Sequence, residues 1–338
     1  MARKWLWASF VLLLCLCLPF FRMREEKSSP LAGNTVIENY TANGTPLTER
    51  FEGTPQRVVA VWQDSVETIL ALGAGDSLVA AIGVPYPACL QKDLRTAYAH
   101  IPLRQMEIPS TEGMLMLAPD LIVGWSSTFA ERGLRGVAFW QGRGIRTYIV
   151  PSSIGRGRAY TVDGEMQYIL DMGKIFHREA KAESIVQTME AETKYIAQAT
   201  AGRPKPHTLI LEKLGRQYMT YGKNTLAADI LRHAAGDPIT LGRYVGEEAI
   251  VEANPEVIFV IVSEGRYREK DAARQEILDA PALQNVRAVQ EGRVYVLPLY
   301  LVYASATRTI DGIHAMGRGL YPDLFAHIPA EEAESDAP

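Results

Sequence analysis

Two separate halves of this 338-residue chain show the same alternation of short apolar runs with helical patterns, and this alternation limits the possible folds. Strands in the first half are predicted at residues 58–62, 78–82, 121–124 and 147–150, with helices at 65–72 and 128–141. Strands in the second half are predicted at residues 208–211, 257–262 and 294–297, with helices at 225–234, 247–253 and 307–320. Because strands that alternate with helices pair in parallel through crossovers, each half is predicted to be α/β.

The region between the halves, residues 161–201, has no strand pattern. Met166, Ile169 and Gly173 follow the i, i+3, i+7 spacing of one helix face, and the helical pattern stops before Pro204. One or two long helices are therefore predicted to separate the halves. The chain length fits two domains of about 150 residues each.

One short pattern occurs in both halves. Glu112 is followed seven residues later by Pro-Asp and the apolar run Leu-Ile-Val, and Glu248 is followed at the same distance by Pro-Glu and Val-Ile-Phe. In each copy an acid opens a short helix, and a turn then leads into a buried strand. The repeat predicts two lobes of similar design.

Glu112 and Glu248 have two interpretations. An acid in the first turn of a helix offsets the helix dipole by about 0.3–1 kcal/mol, and this alone would account for either residue. Alternatively, each lobe presents one carboxylate on the same outer face. A membrane partner with two similar subunits could then bind both through arginine side chains.

The N-terminus has the pattern of an export signal. Arg3 and Lys4 precede an apolar run over residues 6–21. Cys15 and Cys17 lie inside this run, where an acylated cysteine would be found, but each follows a leucine in place of a small residue. Cleavage, lipid attachment and an uncleaved helix therefore remain alternatives for an exported protein, either periplasmic or anchored at the cell surface.

Six segments are predicted: an export signal or membrane anchor at 1–24, a linker and hairpin at 25–50, an N-terminal lobe at 51–160, bridging helices at 161–201, a C-terminal lobe at 202–325, and an acidic tail at 326–338. Asn43-Gly44 predicts the hairpin turn. The net charge is −4 and no basic stripe is present, which argues against a nucleic-acid partner. Cys89 is predicted to be a small buried apolar side chain.

Several motifs carry a family resemblance. Residues 56–61 (Gln-Arg-Val-Val-Ala-Val) and 67–79 (Glu-Thr-Ile-Leu-Ala-Leu-Gly-Ala-Gly-Asp-Ser-Leu-Val) resemble the opening of the periplasmic binding proteins for iron–siderophores, haem and cobalamin. Residues 112–123 resemble the Glu…Pro-Asp-Leu-Ile element of this family. Further motifs, which resemble those of its second lobe, lie at residues 222–231, 245–260 and 292–297.

The resemblance implies an α/β fold with two Rossmann-like lobes, whose central sheets are mostly parallel and which are joined by a long helix. It implies a ligand held in the cleft between the lobes and delivered to an ABC transporter, a two-subunit permease with its ATPase. Glu112 and Glu248 match the family's two permease-docking glutamates. An iron–siderophore chelate is the expected ligand, with cobalamin or haem as alternatives, and no intrinsic cofactor is expected.

Candidate ligand-binding residues follow the predicted strands, because ligands of open α/β sheets bind beyond the carboxyl ends of the strands. Aromatic rings supply stiff contact area, and guanidinium groups suit the carboxylate or catecholate oxygens of an anionic chelate. The candidates are Trp62, Tyr86, Trp125, Tyr221, Arg243, Tyr244, Arg266, Tyr300, Tyr303 and Arg308, of which Tyr221 and Tyr244 are placed in loops of the second half. Core packing is the alternative role of each aromatic residue. Arg308 opens a helix, where a cation opposes the dipole, so a ligand or a carboxylate partner is expected beside it.

No protein-held metal is predicted, because the six histidines are scattered. The chain also lacks Gly-x-Ser-x-Gly and the phosphate-binding Gly-x4-Gly-Lys-Ser/Thr motif. Two other classes of function stay open at this point. One is an extracytoplasmic tetrapyrrole enzyme or chelatase, which needs a titratable pair in the cleft such as His233 with Asp229. The other is a ligand sensor that signals without transport.

Overall fold

The structure is a computed structural model that describes residues 34–154 and 160–328. Its strands are β1 Thr35–Tyr40, β2 Pro46–Phe51, β3 Val58–Val61, β4 Leu78–Ile82, β5 Leu103–Gln105, β6 Leu121–Gly124, β7 Arg146–Ile149, β8 His207–Leu214, β9 Gln217–Thr220, β10 Asp237–Pro238, β11 Tyr244–Val245, β12 Val257–Val262 and β13 Val294–Pro298. Its α-helices are α1 Gln63–Ala71, α2 Arg95–Ala99, α3 Thr111–Met116, α4 Val137–Gln141, α5 Val162–Ile175, α6 Glu179–Ala199, α7 Leu226–His233, α8 Glu247–Ala253, α9 Glu264–Tyr267, α10 Lys270–Leu278, α11 Arg287–Gln290, α12 Thr309–Leu320 and α13 Pro322–Phe325.

The N-terminal sheet has the strand order β5-β4-β3-β6-β7, and all its pairings are parallel. The chain adds strands to one side of β3 and then returns to add β6 and β7 on the other side. The connections that leave β3 and β6 at their carboxyl ends therefore diverge. That divergence opens a crevice, which is where sheets of this topology bind ligands.

The C-terminal sheet has the order β11-β9-β8-β12-β13, with β10 also paired to β8. Strands β8, β12 and β13 are parallel, but β9 runs antiparallel to both β8 and β11. The prediction missed β9 and treated Tyr244 as a loop residue, whereas it begins β11. Gly215, at φ 63°, forms the tight turn between β8 and β9 and was the available signal for this hairpin.

The sequence repeat has the same structural role in both lobes. The carboxylate of Asp120 accepts hydrogen bonds from the backbone N–H groups of Gln56 (2.6 Å) and Arg57 (3.0 Å), just before β3. The carboxylate of Glu256 accepts one from the N–H of His207 (2.9 Å), where β8 begins. Each acid thus fixes the amino end of the first strand of its lobe against the strand that follows the acid. The two lobes are built on one plan.

Two helices, α5 and α6, occupy the segment between the sheets, as the helical pattern predicted. The side-chain oxygen of Thr161 caps α5 by accepting from the N–H of Gly164 at 3.1 Å. A Cβ atom at Gly173 would lie 2.5 Å from that of Ala182, so glycine is needed for the close packing of α5 on α6. Both α1 of the first lobe and α7 of the second contact α5.

Polar contacts in the protein interior join the lobes to one another and to the bridging helix α5. The guanidinium of Arg308, 2% exposed, lies 3.2 Å from Oε1 of Glu67, which is fully buried on α1. The backbone N–H of Ala306 donates to the buried carboxylate of Glu165 on α5. The hydroxyl of Tyr86 donates to the carbonyl of Glu264 at 2.9 Å. These contacts fix one lobe against the other through the protein interior.

The predicted hairpin at Asn43-Gly44 is present, and it packs on the N-terminal lobe instead of acting as a spacer. The side chain of Asn39 exchanges two hydrogen bonds with the backbone of Ile149 in β7, at 3.1 and 2.9 Å. The hairpin therefore covers an edge strand, a common way to prevent edge-to-edge pairing with another chain.

Two predicted helices differ from the structure. In place of the helix predicted at 128–141, the chain forms a 3-10 turn at Ser126–Phe129, then an irregular stretch and the short helix α4. Within that stretch, a Cβ at Gly133 would lie 2.6 Å from the carbonyl oxygen of Thr128, so the chain turns where no other residue fits. The helix predicted at 307–320 likewise begins with a separate 3-10 turn, Ala306–Arg308.

The predicted segment 1–24, the linker up to residue 33 and most of the predicted acidic tail lie outside the described residues. Within residues 34–154 and 160–328, no helix combines the length and apolar character needed to cross a bilayer.

Replacing either strand-anchoring acid is expected to destabilise its lobe. Asp120→Ala should lower the free energy of unfolding by about 1.5–3 kcal/mol, because two N–H groups lose a charged acceptor. Glu256→Ala should have an effect of similar size. Urea denaturation measures both, with Asp93→Ala as a control at an exposed carboxylate, where a change within about 0.5 kcal/mol is expected. Equal stability of Asp120→Ala and wild type would contradict the anchoring role.

Glu165 predicts a pH-dependent stability difference. Burial raises the pKa of Glu165, although the hydrogen bond from the backbone N–H of Ala306 opposes the shift. The native carboxyl therefore holds its proton more firmly than the unfolded one. Its contribution to stability is complete below the ordinary glutamate pKa of about 4.3 and is lost as pH rises through the raised pKa.

Glu165→Gln should consequently gain stability relative to wild type as pH rises from about 4 towards 8, because the amide does not ionise. Urea denaturation at several pH values measures this difference. Glu183→Gln is the control, since the Glu183 side chain is exposed on α6 and its substitution should give a flat profile. A flat profile for Glu165→Gln as well would contradict the argument.

Candidate functional site

A cavity of ≈ 790 Å³ lies between the two lobes. Trp125, which directly follows β6, and Ser152 contribute the N-terminal wall together with Tyr160. The opposite wall comes from the face of the β8–β9 hairpin and from the loop after β13. Four of the ten predicted ligand-binding residues line this cavity: Trp125, Tyr221, Arg243 and Tyr303.

The rings of Trp62, Trp125 and Tyr303 contact one another in a row that extends from one lobe to the other, and this row is called the aromatic stack. Trp62 and Trp125, at the ends of β3 and β6, stack with ring centroids 4.9 Å apart and planes 26° from parallel. The ring of Tyr303 meets Trp125 edge-on, at 5.0 Å and 72°. Trp62 is thus one ring removed from the cavity and supports the ring that lines it.

An unusual backbone conformation sets the position of the Trp62 ring. Its φ angle is 76°, a conformation that costs a residue other than glycine about 1–3 kcal/mol. Its indole N–H donates to the hydroxyl of Thr128 at 3.2 Å. A Cβ at Gly83 would lie 2.7 Å from the Trp62 ring, so the end of β4 leaves room for the indole.

Charged groups lie on the C-terminal wall. Arg243 and Lys223 bring two cations, and Glu212 brings one carboxylate. The hydroxyl of Tyr221 donates to Glu212 at 3.1 Å. Burial raises the pKa of Tyr221, and the charge of Glu212 raises it further, so this phenol stays protonated and acts as a donor. The cavity thus combines aromatic walls with cations and hydroxyl donors, a surface suited to a large anionic ligand.

Sequence reasoning missed Glu212, Lys223 and Tyr160. Glu212 faces the cavity from within β8, where its partner across the sheet is Met219 of the unpredicted β9. Lys223 lies in the loop between β9 and α7, so its position also depends on that strand. Tyr160 comes just before α5. Of these three residues, the strand-end rule could have identified only Tyr160, because it lies beyond the carboxyl end of β7.

The other candidates lie elsewhere. Tyr86 bridges the lobes through Glu264 and contacts the guanidinium of Arg268, whose Cζ lies 3.9 Å from the ring centroid. Tyr244 is half exposed, at 52%. The guanidinium of Arg266 is exposed and lies 4.0 Å from the carboxylate of Glu276.

Tyr300 and Arg308 belong to the interface between the lobes. The ring of Tyr300 is buried under the guanidinium of Arg308, with Cζ 5.0 Å from the ring centroid. Arg308 also lies 2.9 Å from the carboxylate of Asp311, in addition to its contact with Glu67. A ligand or a carboxylate was expected beside Arg308, and the structure shows the carboxylates of Glu67 and Asp311 there. A cation at the start of α12 is tolerated there because two acids surround it.

His233 and Asp229, the pair required by the enzyme hypothesis, do not line the cavity. Their closest atoms are 3.7 Å apart on α7, and the Asp229 carboxylate accepts from the backbone N–H of Val162 at 2.8 Å. The pair therefore ties α7 to the start of α5. Across residues 34–154 and 160–328, no group of three or more metal-ligating side chains is assembled.

Glu112 and Glu248 are both exposed, each in the first turn of a short helix that leads into a strand of its sheet. Met116, four residues after Glu112 and therefore on the same helix face, is 86% exposed. Val251, three residues after Glu248, is 38% exposed. The two acids occupy corresponding positions of the repeat, and each has an exposed apolar side chain about one helical turn further along, although Met116 and Val251 do not align with each other.

Comparisons with known proteins agree with this architecture. A family model described as periplasmic binding protein matches residues 58–301. The uncharacterized ABC transporter substrate-binding lipoprotein YvrC of Bacillus subtilis is 23% identical over 96% of this chain and 98% of its own length. The ferric-anguibactin-binding protein FatB of Vibrio anguillarum is 23% identical over 43% of this chain and 48% of its own length.

A solved structure extends the comparison to three dimensions. A periplasmic binding protein from Veillonella parvula has a TM-score of 0.81 and 39% identity, covering 87% of this chain and 93% of that one. The predicted fold class, α/β with two lobes, is confirmed. YvrC is by name a substrate-binding lipoprotein of an ABC transporter and FatB a ferric-anguibactin-binding protein, so an enzyme is the wrong class for this chain. With two α/β lobes around an aromatic cleft and a family match over most of its length, the chain belongs to the periplasmic binding protein family.

Proposed function

We propose that this protein is the extracytoplasmic solute-binding component of an ABC importer, and that it captures a bulky metal chelate, a ferric siderophore, for delivery to the permease. The observation that carries the proposal is the ≈ 790 Å³ cavity between the lobes, with its aromatic and cationic lining. A chelate arrives with its metal already coordinated. The protein therefore needs a wall that recognises the organic shell and supplies no metal ligands.

The lining suits the surface of an anionic chelate. The ring of Trp125 and the phenols of Tyr160, Tyr221 and Tyr303 supply flat apolar area with polar edges. Arg243 and Lys223 offset negative charge on the ligand, and the fork of Arg243 matches carboxylate or catecholate oxygens. FatB, named for binding ferric anguibactin, supports a ferric chelate as the ligand class. Haem and cobalamin are the competing ligands of the same site.

The delivery step is proposed to use the repeated surface acids. Glu112 and Glu248 occupy corresponding positions in the two lobes, and both carboxylates are exposed. A permease with two similar subunits offers two similar sites, each of which would pair a cation with one of these acids. Met116 and Val251 would add apolar contact beside the charges. The name of YvrC, a substrate-binding lipoprotein, supports an exported location.

Ligand binding is expected to quench the intrinsic tryptophan fluorescence. Titration with a ferric hydroxamate, a ferric catecholate, haemin and cobalamin should single out a ferric siderophore, and Trp125→Phe should reduce the quenching. Arg243→Ala should weaken binding by about 10–100-fold, because it removes a charged hydrogen-bond donor. Arg216→Ala is the control at an exposed position of the same lobe. Binding of haemin or cobalamin alone would overturn the siderophore assignment.

Substitution of the surface acids is expected to separate transport from binding. The double variant Glu112→Ala with Glu248→Ala should abolish uptake of the radiolabelled chelate by cells that carry the importer, while the chelate still binds with unchanged affinity. Glu190→Ala, at an exposed position on α6, should leave uptake intact. Normal uptake by the double variant would refute the docking proposal, and ligand binding without any uptake in wild type would favour a sensor.

A further inference from the structure

Asp64 is a buried acid beside the cleft. It takes part neither in the sheet nor in the contacts between the lobes described above. It is the second residue of α1 and only 4% exposed. Its Oδ1 accepts a hydrogen bond from the indole N–H of Trp125 at 2.7 Å. The hydroxyl of Ser65 donates to its Oδ2 at 3.4 Å. A buried polar group is unfavourable unless it is hydrogen-bonded, and the indole N–H of Trp125 supplies that hydrogen bond.

The contact with Asp64 completes the support of the Trp125 ring. Trp62 stacks on one face of that ring, and Tyr303 meets it edge-on from the other lobe. Neither ring contact fixes rotation of the indole within its own plane, because both are broad contacts without a directed bond. The hydrogen bond to Asp64 is directional, so it selects one orientation. Trp125 also lines the cavity, and its orientation therefore sets the shape of the wall.

We propose that Asp64 is a positioning residue of the ligand-binding site, whose carboxyl group holds the Trp125 indole in the orientation that shapes the cleft. Asp64 itself does not line the cavity and acts through the ring. The part of the proposal that concerns ligand affinity rests on the proposed function. The part that concerns the ring orientation does not.

The surroundings of Asp64 define the conservative replacement. Burial raises the pKa of Asp64 well above its ordinary value, and the nearby carboxylate of Glu165 raises it further, against the hydrogen bond from Trp125. Tyr168 on α5 and Tyr303 of the other lobe also face it. A protonated Asp64 still accepts through its carbonyl oxygen. Asparagine reproduces that neutral acceptor, whereas leucine keeps the branching at Cγ and removes the acceptor.

The first test uses the ligand-free protein. Near-ultraviolet circular dichroism reports the stacked pair of Trp62 and Trp125. Asp64→Asn should keep the wild-type tryptophan signal, and Asp64→Leu should lose it to the same extent as Trp125→Phe, which removes the indole N–H. A wild-type signal in Asp64→Leu would overturn the proposal.

The second test measures affinity for a ferric hydroxamate chelate. Asp64→Leu should weaken binding by about tenfold or more, Asp64→Asn should stay within about twofold of wild type, and Asp64→Leu should have no further effect in the Trp125→Phe background. Additive effects of the two substitutions would show that Asp64 acts by another route. If wild type does not bind this chelate, the ligand assignment fails, and the ligand-free spectra still decide the role of Asp64.

A matched control separates positioning from stability. Asp171 is another buried acid, 9% exposed, whose carboxylate accepts from the hydroxyl of Tyr148 at 3.1 Å and does not contact the aromatic stack. Asp171→Leu should leave the tryptophan signal and the affinity unchanged. Urea denaturation should find Asp64→Leu folded, because a branched apolar residue often replaces a buried acid at little cost. If it does not fold, Trp125→Phe and Asp64→Asn carry the test, and equal affinity of Trp125→Phe and wild type overturns the proposal.

Discussion

The buried ion pair of Arg308 with Glu67 is the contact on which the relation of the two lobes depends. Both side chains are almost wholly removed from solvent, at 2% and 0% exposure, and they belong to different lobes. Separating them inside the protein would leave the Glu67 carboxylate without this cation in a medium of low polarity, which is strongly unfavourable, while Arg308 would keep Asp311. The pair therefore opposes separation of the lobes.

That relation between the lobes allows a site to be assembled from two independent sheets. The first lobe contributes Trp125 from the divergence between β3 and β6, and the second contributes Tyr303 and the face of the β8–β9 hairpin. Neither lobe alone lines the whole cavity. A site of this kind recognises the outside of a large object, and this suits a carrier that must later release its cargo intact.

The sequence predicted most of the sheet framework. Strands at 78–82, 121–124 and 257–262 match β4, β6 and β12 because these runs are apolar, β-branched and bounded by turn residues. The site was predicted only in part. Trp125 lies at the end of a parallel strand and obeys the strand-end rule, whereas Glu212 lies inside β8 and depends on the antiparallel partner β9, which has a weak pattern of its own.

The failures have a common physical origin. The rule that placed residues at strand ends does not determine which way the following loop turns. Tyr300 and Arg308 follow a strand as expected, yet the 3-10 turn Ala306–Arg308 directs the guanidinium towards α1 and away from the cavity. Contacts between elements far apart in sequence decided these cases, and no local pattern encodes them.

The acids that anchor the amino ends of the strands have one more consequence. Asp120 and Glu256 secure each sheet at the strand ends opposite the cleft, using hydrogen bonds from backbone N–H groups, which every residue except proline supplies. The contacts that fix the sheets and the residues that line the cavity thus lie at opposite ends of the same strands. Substitutions in the loops that line the cavity therefore leave untouched the contacts that set the register of the sheets.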